Sequence, residues 1–85
     1  MIRGDNYNWT TVDDEGEPHV LRVHSMDDVH LTNCLNFVRR RVMSDKYYSK
    51  NNLSGHTWIH TFEDEQLWRR EHNFAPIGCN SIWRD

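Results

Sequence analysis

Between Asp27 and Val42 the chain repeats apolar residues at steps of three and four: Leu31, Cys34, Leu35, Val38 and Val42. At about 100° per residue these positions form a single stripe on a helix. Asp27 and Asp28 precede the stripe and Arg39, Arg40 and Arg41 lie towards its end, the order that complements a helix dipole. Ser25, with Asp28 three residues on, reads as the N-cap of a helix over roughly 26–43. Met26 then serves as a staple residue, while His30 and Phe37 flank the stripe. Such a helix gains most of its stability from whatever covers its apolar face. The rest of the chain is therefore read as its cover.

Only 85 residues are available, so one domain spanning 1–85 is expected, with too little interior for two cores. The sequence contains one alanine, Ala75, against four Trp, three Phe and three Tyr, so rings must supply much of the buried apolar area. "YNWTTV" is rich in aromatic and β-branched residues and places Tyr7 and Trp9 on one strand face. "DDEGEP" is a turn, and "HVLRV" follows with Val20 and Leu21 facing opposite ways, which gives a β-hairpin over about 7–24. Residues 44–55, "SDKYYSKNNLSG", read as a polar loop. "HTWIHTF" suits either a strand or a helix. Thr61 and Asp64 are candidate caps for a second helix starting near Phe62, which should stop by Phe74, before Pro76 and Gly78. "CNSIWRD" could add a third strand to the hairpin. The expected fold is α+β: an N-terminal hairpin packed on two helices.

A net charge of −3 argues against a general polyanion binder. No apolar run approaches the ~20 residues of a membrane span, the N-terminus lacks a signal-type apolar segment, and two cysteines make no disulfide framework. A cytoplasmic protein with reduced thiols and no membrane partner is expected.

Several residue groups could carry chemistry. His30 and Cys34 stand one helical turn apart and, with Cys79, could bind zinc. The spacing lacks a Cys-x-x-Cys knuckle, so a buried thiol beside a flanking imidazole is favoured, and no metal or cofactor is expected. His56 and His60 share a face on a helix but stand far apart on a strand, and they read as a solvated pair. No serine lies in a Gly-x-Ser-x-Gly elbow and no phosphate loop can be assembled, so catalysis is not expected. "RRRVMSDKYYSK" gathers Arg39, Arg40, Arg41, Lys46 and Lys50 with Tyr47 and Tyr48, suited to gripping an acidic protein surface or to holding phosphates and stacking bases. The three arginines fan over about 200° of helix, which opposes one flat patch. Trp58, Trp68 and Trp83 suit either a core or a binding surface, and the apolar flank of the long helix could serve a homo-oligomer.

Trp9-Thr10-Thr11, a glycine-containing hairpin turn and Met26-x-Asp28-x-His30-Leu31-x-Asn33 resemble a group of small accessory proteins of tailed bacteriophages. Glu65, Arg69 and Arg70 in "EQLWRREH" are similar to a later segment of that group. The turn here is longer, and a different loop leads to the second helix. The resemblance brings no catalytic residues. It implies an accessory protein made in a bacterial cytoplasm that binds a host protein and inhibits or redirects it, an anti-defence role included. Residues 39–41, 46–48 and 50 are the expected contact surface. Nucleic-acid or nucleotide binding through 39–50 is the alternative, followed by a zinc-stabilised module.

Overall fold

A computed structural model describes residues 3–74. Strands β1 (Asn8–Val12) and β2 (Pro18–Arg22) form the expected antiparallel hairpin, with Trp9 opposite Leu21 and Thr11 opposite His19. The turn is organised by Asp13. Its carboxylate accepts from the amides of Glu15 and Glu17, both at 2.9 Å, and approaches His19 Nε2 at 2.9 Å. Gly16 takes φ +84°, a conformation open to glycine because it has no Cβ. Alternation along β1 sends Trp9 and Thr11 inward, and Val20 is exposed while Leu21 packs on the core.

Helix α1 runs Asp28–Ser44, two residues later than the sequence suggests. Ser25 ends a short 3-10 turn, Val23–Ser25, and Met26 follows in extended backbone with its side chain in the core. Asp27 is the N-cap instead, accepting from the amide of His30 at 2.7 Å. Met26 and Leu31 thus occupy the N′ and N4 positions of a hydrophobic staple, both buried. Asp28, the expected cap partner, turns to Arg69.

The polar loop 44–55 contains a second hairpin, β3 (Ser49–Lys50) with β4 (Leu53–Ser54). Asn51 and Asn52 have φ +52° and +65°, the paired positive values of a type I′ turn, which asparagine tolerates better than most residues. Helix α2 spans Gly55–Glu71, so 56–61 is helical and the expected start near Phe62 is corrected by two turns. Ser54 is the true cap, accepting from the Thr57 amide at 3.2 Å, while Thr61 is buried mid-helix. The helix ends where expected. Asn73 adopts φ +51°, and the Phe74 and Asn73 amides bond back to the Arg69 and Arg70 carbonyls, a Schellman closure.

The helices are antiparallel neighbours, since Asp28 meets Arg69, Thr32 meets Gln66 and Arg39 meets Glu63. Trp9, Val23, Met26, Leu31, Cys34, Leu35, Val38, Trp58 and Phe62 form the core. His30, expected on the flank, is 4% exposed and belongs to this interior. The rings interlock at its centre: Trp9 meets Trp58 edge-on at 4.9 Å and Phe62 at 5.4 Å. The proposed third strand, with Cys79 and Trp83, lies outside the described residues.

Candidate functional site

The two ends of the helical pair differ in chemistry. One end joins the C-terminus of α1 to the N-terminus of α2 and holds the basic and aromatic stretch. Its interior is apolar. Tyr48 is half-buried edge-on to Phe37, and burial pushes its phenol above the ordinary value. Trp58 donates its indole N–H to the Lys50 carbonyl at 2.8 Å, pinning the second hairpin to α2. Gly55 is buried against Val42 and Tyr48, and its amide donates to the Tyr48 carbonyl at 2.8 Å. A side chain at position 55 would collide with Val42.

The cations at this end do not act as a block. Arg39 is paired with Glu63, Arg41 lies over the Phe37 ring at 5.1 Å, and the Lys50 ammonium sits 3.8 Å from the Trp9 ring centre. Arg40 is exposed, and Lys46 lies over the Tyr47 ring at 5.1 Å. The most exposed apolar side chains among the described residues are also in this stretch, Met43 at 87% and Tyr47 at 81%. Tyr47 is held at the helix exit by its amide, which donates to Asp45 Oδ1 at 3.0 Å. Of the seven residues expected at the contact surface, Arg39, Arg40, Arg41, Lys46 and Tyr47 are exposed, while Tyr48 and Lys50 are half-buried. Met43 joins the outward set. Its place off the apolar stripe of the predicted helix was readable from the spacing, since it falls about 120° from the stripe's centre.

The other end is built on ions that sequence reasoning missed. Glu65 is completely buried, and Arg3 reaches it with paired hydrogen bonds of 2.8 and 2.7 Å. Arg69, 3% exposed, donates to Glu65 at 2.7 Å and to Asp28 at 2.8 Å, and approaches the Val23 and His24 carbonyls. Burial by itself would push the Glu65 carboxyl up. The hydrogen bonds and charges of Arg3 and Arg69 outweigh it and hold the group below the usual carboxylate range. Arg3 is in turn raised, chiefly by its bond to Glu65, and its guanidinium lies over Trp68 at 4.0 Å. Asp28 at the start of α1 and Arg69 near the end of α2 also complement both helix dipoles. His24 Nε2 donates to the Gly4 carbonyl at 2.8 Å and stands 3.7 Å from Glu65. An open cleft of about 440 Å³ adjoins this network, lined by Thr32, Gln66, Arg70 and Phe74 among others. Along it Gln66 donates to Thr32 at 3.1 Å and Arg69 to Asp28 at 2.8 Å.

His30 and Cys34, the zinc candidates, are both in the core, and their proposed third ligand Cys79 lies outside the described residues. Among the described residues no group of three or more His, Cys, Asp or Glu is placed to hold a metal ion. No helix among them is long and apolar enough to cross a membrane. Comparison with protein-family models, with curated proteins and with solved structures finds no match for this chain.

Proposed function

We propose that this chain is a non-catalytic accessory protein of the tailed-phage type, acting in the bacterial cytoplasm, where it binds a host protein and inhibits or redirects it. The contact surface is the exit of α1, comprising Arg40, Met43, Lys46 and Tyr47. The observation that carries this reading is the pair of large, exposed side chains Met43 and Tyr47 beside two outward cations. Methionine, tyrosine and arginine are among the types enriched at protein interfaces. The chemistry calls for a partner with an apolar pocket rimmed by carboxylates, because the cations fix the approach while the ring and thioether supply buried area.

A photo-crosslinking residue at position 47, compared with one at position 15 on the hairpin tip, tests this in host lysate. A protein captured at 47 and absent at 15 should bind the purified chain. Charge reversal of Arg40 and Lys46, or Met43→Asp, should weaken that binding by about tenfold or more, as expected for loss of a hot spot. Unchanged binding in these variants would remove the surface from consideration. Nucleic-acid binding is the weaker reading, because the net charge is −3 and Arg39, Arg41 and Lys50 each have a partner within the chain. Saturable binding of an oligonucleotide with a steep salt dependence would reverse that order.

A further inference from the structure

We propose that His56 and His60 form a two-imidazole site on the outer face of α2 for a late first-row divalent metal ion. The sequence left this segment open between strand and helix, and the choice decides the chemistry. Four residues along a strand are separated by about 13 Å, too far for one ion to bridge. On a helix, side chains at i and i+4 are neighbours with Cβ atoms about 5–6 Å apart. Metal–imidazole bonds of about 2.0–2.1 Å then allow both rings to reach a single ion lying between them.

The structure supplies the helical geometry. Both histidines lie in the first turns of α2 and both are exposed. The opposite face, through Trp58, Thr61, Phe62, Glu65 and Arg69, is buried, so the helix cannot roll to hide the pair. The Ser54 cap and the Trp58 bond to Lys50 fix the turn that carries His56. Glu63 continues the same exposed stripe, but Arg39 holds its carboxylate, leaving the imidazoles as the protein's ligands. A site with two nitrogen ligands and water at the remaining positions binds with modest affinity and exchanges quickly. It also leaves coordination positions free for a carboxylate or imidazole from another molecule. Nitrogen donors of this kind favour nickel and copper over earlier metals, with zinc close behind.

The test uses the full chain and metal alone. Nickel and zinc are preferred to copper, which would oxidise thiols. Titration calorimetry should show saturable binding of one ion per chain. His56→Gln and His60→Gln should each weaken it by about tenfold or more, because a chelate loses its bridging geometry with either ring. Nickel should also raise the Tm of the wild-type chain and not that of His60→Gln, since the chelate exists only in the folded helix. Both positions are exposed, and circular dichroism checks that each variant keeps its helices. Absence of saturable binding in the wild type would overturn the proposal. So would binding that persists in the double variant, which would place the ion on other residues.

Discussion

The two ends of the antiparallel helix pair solve the same problem with different materials. At the exit of α1 the closure is steric and apolar: Gly55 admits Val42 and Tyr48, and Trp58 anchors the Asn51–Asn52 hairpin. At the entrance of α1 the closure is ionic, with a buried carboxylate gripped by two arginines and the second arginine tied to Asp28. The apolar end can turn its surplus side chains outward, and Met43 and Tyr47 stand in solvent there. At the ionic end Glu65 and Arg69 are both buried and satisfy each other. A chain this small has few residues to spare, and in the proposed reading the end that closes by packing is the one that carries the binding surface.

The sharpest way to break this contrast is Arg69→Ala. Removing one partner of a buried ion network strands the other, at a cost of about 3–5 kcal/mol. For a domain of this size that is most of the stability, so urea or thermal unfolding should show a largely unfolded chain. The combined variant Arg3→Met, Glu65→Leu, Arg69→Met removes every charge at the buried centre and should recover most of the loss. If the triple variant were as unstable as Arg69→Ala, the ions would be setting the fold and not merely satisfying one another.

Gly55→Ala probes the apolar end. The added methyl meets Val42 and Tyr48, and overpacking of this kind costs about 1–3 kcal/mol. Replacing Val42 by Ala in the same chain should recover part of it, a non-additive pair readable in unfolding midpoints. Full additivity would mean that the helices part freely at this end.

The same contrast explains what the sequence revealed. The apolar stripe, the first hairpin and the alternation of Val20 with Leu21 follow from local periodicity, and all appear in the structure. The helix starts were displaced because cap chemistry was duplicated. Ser25 and Asp27 are both competent caps, and the burial of Met26 between them decides in favour of the later one. In the same way Ser54 precedes Thr61, and the burial of Trp58 draws 55–61 into the helix. The ionic centre was not legible. Glu65 and Arg69 stand at a spacing typical of surface pairs, and Arg3 meets Glu65 across 62 positions. Only the tertiary fold removes that pair from water. Sequence proximity grouped seven residues in the basic and aromatic stretch, but it did not show that the fold would half-bury Tyr48 and Lys50 while leaving the other five exposed.

Acid should weaken the ionic end and the turn of the first hairpin. Glu65 and Asp13 have folded pKa values below their ordinary ones, Asp13 chiefly through its bond to His19. Their stabilisation is therefore present above the unfolded carboxylate range, near pH 4, and is lost as pH falls through the lower folded values. Tm should fall between pH 5 and about pH 2–3. Hydrogen exchange should report earlier opening at residues 65–71 than at 55–60. The triple apolar variant should lose most of this dependence while retaining the part due to Asp13. An unchanged acid profile in that variant would locate the sensitivity elsewhere.

The smallest stability effect is expected where the proposed function is largest. Tyr47→Ala removes an 81% exposed ring, whose internal contact is with the exposed Lys46 side chain. Surface substitutions away from caps and cores usually fall within about 0.5 kcal/mol of neutral. Unfolding midpoints should therefore match the wild type, while affinity for the captured partner falls by about tenfold or more. The comparison requires both measurements on one preparation, since equal stability excludes loss of folded protein as the cause. A stability loss comparable to that of Gly55→Ala would make Tyr47 part of the steric closure of this end. The distinction between a packed interior and a surface left free for binding would then fail at the residue on which it most depends.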